Sequence, residues 1–188
     1  MHLVFFLEEA SARAFLQELL PRMLPAVVTP TYVVFQGKQD LEKQLSRKLR
    51  GWQRPNSRFV VLRDRDAGDC RVIKVRLQNL AKEAGRPEAL IRIACRELES
   101  WYLGDLKAVE MAFGVSGIAR EQRNKKFRAP DGLGNPEQEL LRMVPSYQQI
   151  SGSRAMGKVM SLEGNSSHSF NAFINGLTRI LESEGVTP

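Results

Sequence analysis

Short apolar runs alternate with amphipathic stretches along the first two thirds of the chain. The runs are rich in Val, Ile and Phe, which is typical of strands that are buried on both faces of a parallel sheet. The longer stretches between them place apolar side chains at helical spacing. The predicted strands are residues 3–7, 31–35, 58–63 and 89–95, and the predicted helices are residues 12–20, 39–50, 71–84 and 97–113.

Strands that alternate with helices in this way predict an α/β fold, with a mostly parallel sheet flanked by helices on both faces. The second predicted helix has an apolar stripe made of Leu41, Leu45 and Leu49. The third predicted helix is expected to bury five apolar side chains, those of Val72, Val75, Leu77, Leu80 and Ala81.

The last third of the chain is less regular. Its segments are a basic stretch and a Gly- and Pro-rich loop over residues 120–136, a short predicted helix over 137–144, a Ser- and Gly-rich segment over 151–169 and a final amphipathic helix over 170–184. We therefore predict an α/β core over residues 1–115 and a helical and loop extension over residues 116–188 that packs on the same domain.

Length and composition fit a folded cytoplasmic protein. The chain has 188 residues, of which 43% are hydrophobic, and this suits one domain with a real core. It has no long uncharged apolar stretch, so no membrane span is expected, and its N-terminal apolar run ends in Glu8 and Glu9 without a basic segment before it, unlike a signal peptide. Two cysteines predict neither a disulfide framework nor a cysteine-based metal finger.

A net charge of +7 and a pI of about 9.7 favour a polyanionic partner such as nucleic acid. Basic groups beside an aromatic side chain can follow a phosphate backbone and stack a base. One such segment, residues 43–58 with Trp52, is as well explained by a solvated helix face. The other surrounds Phe127 and is the predicted nucleic-acid contact, made of Arg120, Arg123, Lys125, Lys126 and Arg128.

Acidic residues follow two of the predicted strands directly. Glu8 comes after the first strand, and Asp64 and Asp66 come after the third. Parallel strands end at the same edge of a sheet, where ligands of open α/β folds bind, and residues two apart in an extended backbone point to the same side. Three carboxylates gathered there repel one another and need a positive partner. Hard oxygen ligands in this number favour Mg²⁺ or Mn²⁺.

A purely structural role for some of these acids stays open. An Asp-x-Asp pair after a strand is common, and an acid at a strand end often caps the next helix. Asp69 is expected to cap the helix that starts near residue 71, and Glu9 to be a solvated acid in a first helical turn.

Four motifs resemble a known family. They are Leu7-Glu8-Glu9 at the end of the first strand, Gly37-Lys38, Asp64-Arg65-Asp66, and the stretch from Glu97 through Trp101 to Asp105. Together they resemble the Toprim fold of topoisomerases, primases and the nuclease domains of overcoming-lysogenization-defect proteins. The closer resemblance is to a bacterial Toprim-like family known as domain of unknown function 4276. The chain departs from that family at Glu9, where glycine is usual.

The resemblance implies a metal-dependent nuclease that hydrolyses phosphodiesters, uses Mg²⁺ or Mn²⁺, and works with an ATPase partner in defence against phage. Glu8, Asp64 and Asp66 are then expected to hold the metal, Glu99 to be a further ligand or to orient one, and Lys38 to steady a phosphate. The departure at Glu9 favours the alternative, which is a non-catalytic module that binds nucleic acid or a partner protein through a degenerate site.

Overall fold

The computed structural model describes residues 1–186, which contain four strands and nine α-helices. The strands are β1 (His2–Leu7), β2 (Thr29–Val34), β3 (Ser57–Asp64) and β4 (Leu90–Ala94). The helices are α1 (Ala10–Leu19), α2 (Lys38–Arg50), α3 (Cys70–Glu83), α4 (Glu99–Leu103), α5 (Leu106–Phe113), α6 (Lys125–Arg128), α7 (Pro136–Met143), α8 (Gln149–Val159) and α9 (His168–Ser183). Short 3₁₀ helices span Leu20–Arg22, Ala119–Arg123 and Pro130–Gly132. No helix among the described residues has the length and apolar character needed to cross a membrane.

The four strands form one parallel sheet in the order β2-β1-β3-β4. The inner strand β1 places Phe5 opposite Tyr32 of β2 and Val60 of β3. Side chains of β1 alternate between two separate cores, with Phe5 in one and Phe6 in the other. A continuous apolar run suits this strand because both of its faces are covered.

Helices cover both faces of the sheet, which confirms the predicted α/β class. On one face, α2 and α3 pack over Phe6, with Leu45 and Leu77 among their fully buried side chains. On the other face, α1 and the helices that follow β4 enclose a larger core around Trp101 and Phe173. That second core contains side chains from residues 1–115 and from residues 116–186. The division of the chain near residue 115 into a core and an extension stays a prediction.

Helix α3 buries only part of the predicted set, since Leu77 and Ala81 are buried and Leu80 is partly buried as expected. Ile73, Leu77 and Ala81 face the sheet, whereas Val72 and Val75 are 59% and 54% exposed. The helix carries apolar residues on two neighbouring stripes, so the sequence pattern alone does not show which stripe faces the sheet. The stripe with the repeat of four residues is the one that packs on the sheet, and the valines are left in solvent.

The second half of the chain differs from its predicted elements in two places. The helix predicted over residues 97–113 is broken between α4 and α5, because Asp105 caps a new helix by accepting a hydrogen bond from the Ala108 amide at 3.0 Å. The Ser- and Gly-rich segment contains α8, which packs closely on α1. Glycine is required at this crossing, since a Cβ on Gly157 would lie 2.3 Å from the carbonyl oxygen of Phe15.

Candidate metal and phosphate site

Glu8 and Asp64 meet at the carboxyl edge of the sheet, where β1 and β3 end side by side. The Asp64 amide donates a hydrogen bond of 3.1 Å to Oε2 of Glu8. The same oxygen lies 3.7 Å from Nε of Arg63, whose guanidinium also pairs with Glu42. The strand register therefore brings together two acids that are 56 residues apart in the sequence, as predicted.

The environment of Glu8 favours its neutral form. The residue is only 7% exposed, and this burial raises its pKa to about 7. The hydrogen bond from Asp64 and the nearby Arg63 lower the pKa, but they do not compensate, because Asp66 and Glu9 raise it further. The positive charge around Glu8 is therefore too small to offset the cost of burying its ionised form.

Asp64 lies in the same acidic surroundings. Burial raises the pKa of its carboxyl group well above the ordinary value, and the negative charges of Glu99, Glu8, Glu9 and Asp66 raise it further. Each of these acids is thus close enough to disfavour ionisation of Asp64. The structure places Asp64 at the centre of the acidic cluster, which we define as Glu8, Asp64 and Glu99.

Asp66 does not follow Asp64 in an extended backbone, contrary to the geometry expected from the Asp-x-Asp spacing. Its φ of 52° is in the left-handed region, so the chain turns away from the strand at this residue. The turn is held by Arg96, whose carbonyl accepts from the Asp66 amide at 2.9 Å and whose Nη1 donates to the Asp66 carbonyl at 3.2 Å. The carboxylate of Asp66 consequently points to Lys38.

Lys38 begins α2 and forms an ion pair with Asp66, with Nζ 2.8 Å from Oδ2. This hydrogen bond and the charge of Asp66 raise the pKa of Lys38, so the ammonium group stays charged. Both side chains are partly exposed. An open cavity of about 380 Å³ adjoins the pair and is lined by Arg63, Arg65 and Arg76 as well.

Glu99 is the first residue of α4 and is only 2% exposed. Burial raises its pKa to about 7, although Oε1 accepts a hydrogen bond of 2.7 Å from the Tyr147 hydroxyl, which lowers the pKa. Sequence reasoning missed Tyr147, which lies between α7 and α8 and carries no recognisable motif. Its hydroxyl fixes the position of Glu99 from the side of the helical core.

Glu9, at the position where the resemblance implies glycine, causes no backbone strain. Its φ of −139° lies in the extended region that any residue adopts. It immediately precedes α1, and its Oε2 accepts weak hydrogen bonds of 3.4 Å from Ser11 and Gln149. Asp69, by contrast, is confirmed as a helix cap, because Oδ1 accepts from the amides of Arg71 and Val72 at the start of α3.

The predicted acids share one neighbourhood, but they do not converge on a single point. Within residues 1–186, no group of three acidic, histidine or cysteine side chains is positioned to hold a metal ion. Asp66 is engaged by Lys38. The donor set nevertheless suits a hard cation in its chemistry, because the raised pKa values of Glu8, Asp64 and Glu99 show buried carboxyl oxygens with too little counter-charge.

The predicted nucleic-acid segment is exposed, but its aromatic residue is not. Arg120 and Arg123 lie on the 3₁₀ helix Ala119–Arg123, and Lys125, Lys126 and Arg128 lie on α6. Phe127 is 4% exposed and belongs to the core, so the expectation that it stacks a base is wrong. Lys126 is paired with Glu139.

The basic segment 43–58 likewise lacks an aromatic side chain that is free to stack a base. Its Trp52 packs edge-on against Phe6 and Phe59 and donates a hydrogen bond to Ser57, so its ring is half-buried against the core. An aromatic residue among cations in the sequence was here a sign of core packing and not of a stacking surface.

The model of the family DUF4276, a domain of unknown function, matches residues 7–178. The chain belongs to this family. The match includes Glu8, Lys38, Asp64, Asp66 and Glu99. No curated protein matches this DUF4276 sequence.

Among solved structures, the C-terminal region of the Burkholderia pseudomallei OLD protein is similar to the DUF4276 chain, with a TM-score of 0.54 and 16% sequence identity. The similarity covers 95% of this chain and 98% of the other. At this identity the likeness shows a shared fold, and it supports the predicted α/β class with a helical C-terminal region.

Proposed function

We propose that this chain is a metal-dependent nuclease of the Toprim type, which hydrolyses phosphodiester bonds of nucleic acid with Mg²⁺ or Mn²⁺. The observation that carries the proposal is the acidic cluster at the carboxyl edge of the sheet. Burying Glu8, Asp64 and Glu99 together raises the pKa of each, which costs folding free energy. A divalent cation would remove that cost, and perturbed acids of this kind concentrate at functional sites.

The proposed roles follow from the surroundings of each side chain. Glu8 and Asp64 would hold the cation, and Asp66 would join them by exchanging its ion pair with Lys38 for the metal. Glu99 would be a further ligand or an orienting group whose position Tyr147 fixes. When bound, the cation would activate a water molecule and neutralise charge on the phosphate. Lys38 carries its ammonium group beside Asp66 and at the open cavity, where it would donate to a phosphate oxygen.

The remaining partners are proposed on the resemblance and on charge. Exposed cations of the segment 120–128 would contact the nucleic-acid backbone outside the acidic cluster. An ATPase partner, a role in defence against phage and a cytoplasmic location belong to the same proposal and rest on the family resemblance alone.

Cleavage assays with a matched pair of variants test the nuclease proposal. The protein is incubated with Mg²⁺ or Mn²⁺ and with single- and double-stranded DNA and RNA. Asp64→Asn should reduce the cleavage rate by about 100-fold or more, because it removes a charge from the centre of the cluster. Asp69→Asn, on the same loop, should cleave normally because Asn caps a helix as well as Asp does. Equal cleavage by both variants, or no cleavage of any substrate, would refute the proposal.

A second candidate function is a binding module without catalysis. The Lys38–Asp66 ion pair favours it, since a lysine here takes the place that a metal ion would need at Asp66. Calorimetric titration with Mn²⁺ and Mg²⁺ separates the two functions. Binding heat that is lost in Asp64→Asn supports the nuclease, whereas no heat with the unmodified chain supports the binding module.

A further inference from the structure

The solvent face of α3 is strongly basic, and the helix begins six residues after Asp64 in the sequence. Arg71, Lys74 and Arg76 are all exposed along the first two turns of this helix. Val72 and Val75 lie between them with more than half of their surfaces in solvent. An exposed helix face with this composition combines positive charge with apolar contact area.

Helix stability does not account for these cations. The N-terminal end of a helix carries the positive end of its dipole, so basic residues there are unfavourable. The first turn of α3 contains no acid to offset them, and Asp69 is used as the cap. Arg76 pairs with Glu42 at 3.1 Å, but Arg71 and Lys74 form no ion pair with any residue in the range 1–186.

Cavities on both sides of α3 extend the positive charge into a band. The cavity of about 380 Å³ on one side contains Lys38, Arg65 and Arg76. A second cavity, of about 420 Å³, lies on the other side between α3, β4 and the start of α9, and Arg71, Lys74, Arg92 and His168 line it. The basic band of α3 is defined by six cations of the two cavity walls, namely Lys38, Arg65, Arg71, Lys74, Arg76 and Arg92.

The acids near this band are already engaged. Asp66 is paired with Lys38, and Asp69 accepts the amides at the start of α3. Asp131 borders the second cavity, but its two oxygens accept hydrogen bonds from Ser167 and Ser169 at the start of α9. In addition, Nε of Arg65 has no hydrogen-bond partner among the described residues.

We propose that the basic band of α3 binds the phosphate backbone of nucleic acid and leads it to the acidic cluster. The inference rests on the proposed nuclease function for its biological meaning, but the binding itself requires no catalysis. It differs from the surface predicted from the sequence, residues 120–128, where the aromatic side chain is buried and Lys126 is paired. Nucleic acid is favoured over an acidic protein because the cavity that holds Lys38 is also lined by Arg63, whose Nε lies 3.7 Å from Oε2 of Glu8 in the acidic cluster.

Fluorescence anisotropy with labelled single- and double-stranded oligonucleotides, in EDTA, tests the band. The variant is Arg71→Gln with Lys74→Gln. The control is Lys48→Gln with Arg54→Gln, which removes two exposed cations at the opposite edge of the sheet, where α2 ends and β3 begins. Thermal melts should show that both double variants fold like the unmodified protein.

Arg71→Gln with Lys74→Gln removes two phosphate contacts, so binding should weaken by about tenfold or more. The slope of log K against the logarithm of the salt concentration should become shallower by about two. The control should bind like the unmodified protein. Equal affinities for the two double variants would overturn the proposal, as would a loss found only in Arg120→Gln with Arg123→Gln.

Two further outcomes are decisive. If the oligonucleotides do not bind and an acidic polypeptide such as polyglutamate does, the band is a protein-binding surface and the proposal is wrong. If oligonucleotide binding depends on Arg71 and Lys74 but no substrate is cleaved with Mg²⁺ or Mn²⁺, the band stands and the nuclease function fails. The two proposals can therefore fail separately.

Discussion

Replacing Glu99 by Gln should stabilise the metal-free protein at alkaline pH. Burial raises the pKa of Glu99 from 4.5 to about 7, so the charged form is disfavoured in the folded state. At about 1.4 kcal/mol for each pH unit between these values, ionised Glu99 costs on the order of 3 kcal/mol. Gln has nearly the same shape and keeps an oxygen that can accept the hydrogen bond from Tyr147, so the packing of α4 is preserved.

The pH dependence follows from the direction of this pKa change. In the unfolded chain the carboxyl group ionises near 4.5, whereas in the folded protein it keeps its proton until about pH 7. Below the lower value both states are protonated, and the unmodified protein has no disadvantage. As pH rises through the interval the unmodified protein loses stability, and above pH 7 the full cost is present. The advantage of Glu99→Gln should therefore be below about 1 kcal/mol at pH 5 and largest at pH 8.

Urea unfolding in EDTA, followed by circular dichroism at pH 5 and pH 8, measures this difference. Glu88→Gln is the matched control, because Glu88 is exposed in the loop before β4 and its replacement should change little at either pH. A gain that is equal at the two pH values would show that charge is not the cause. A variant less stable than the unmodified protein at pH 8 would refute the reasoning altogether.

Three shorter predictions concern other parts of the fold. Gly157→Ala should lower the free energy of unfolding by about 1–3 kcal/mol in urea, because its Cβ would press on the backbone of α1, and an unchanged midpoint would contradict this packing. Asp69→Ala should cost about 1 kcal/mol by removing the cap of α3, whereas Asp69→Asn should be nearly neutral. Burial, and to a smaller extent Asp131, raise the pKa of Cys95. In the variant Cys70→Ser, the rate at which iodoacetamide alkylates Cys95 should therefore reach half its maximum at a higher pH than the rate for a short cysteine peptide does. A midpoint at or below that of the peptide would be contrary evidence.

The sheet and its covering helices could be predicted because their signal is local. Each strand is rich in β-branched, aromatic or other apolar residues, and the stripe of Leu41, Leu45 and Leu49 is buried as expected. Helix α8 was missed for a physical reason. Gly152 and Gly157 weaken intrinsic helix propensity, but their lack of a side chain lets the helix approach its neighbours closely, so tertiary packing outweighs propensity.

The candidate site was predicted to a smaller extent. Glu8 and Asp64 were found because parallel strands end at one edge, which is a topological rule that needs no side-chain detail. The turn at Asp66 depends on a positive φ that Asp tolerates and that spacing does not reveal. Tyr147 could not be found because its contact with Glu99 spans 48 residues and arises only when the helical region packs on α4.

The loop from β3 to α3 explains why charges of both signs lie at this edge of the sheet. Just before the loop, at the end of β3, burial raises the pKa of Asp64, and the negative charges of Glu99 and Glu8 raise it further. Just after the loop, Arg71 and Lys74 lie in the first turns of α3, at the end of the helix where cations are least favourable. Both arrangements cost stability, and neither is needed to cover the sheet. A phosphodiester substrate with a bound cation has charges of both signs, with the backbone matching the cations and the metal matching the acids. A single ligand complex of that kind would offset both costs at once, and this is the physical basis for linking the basic band of α3 to the acidic cluster.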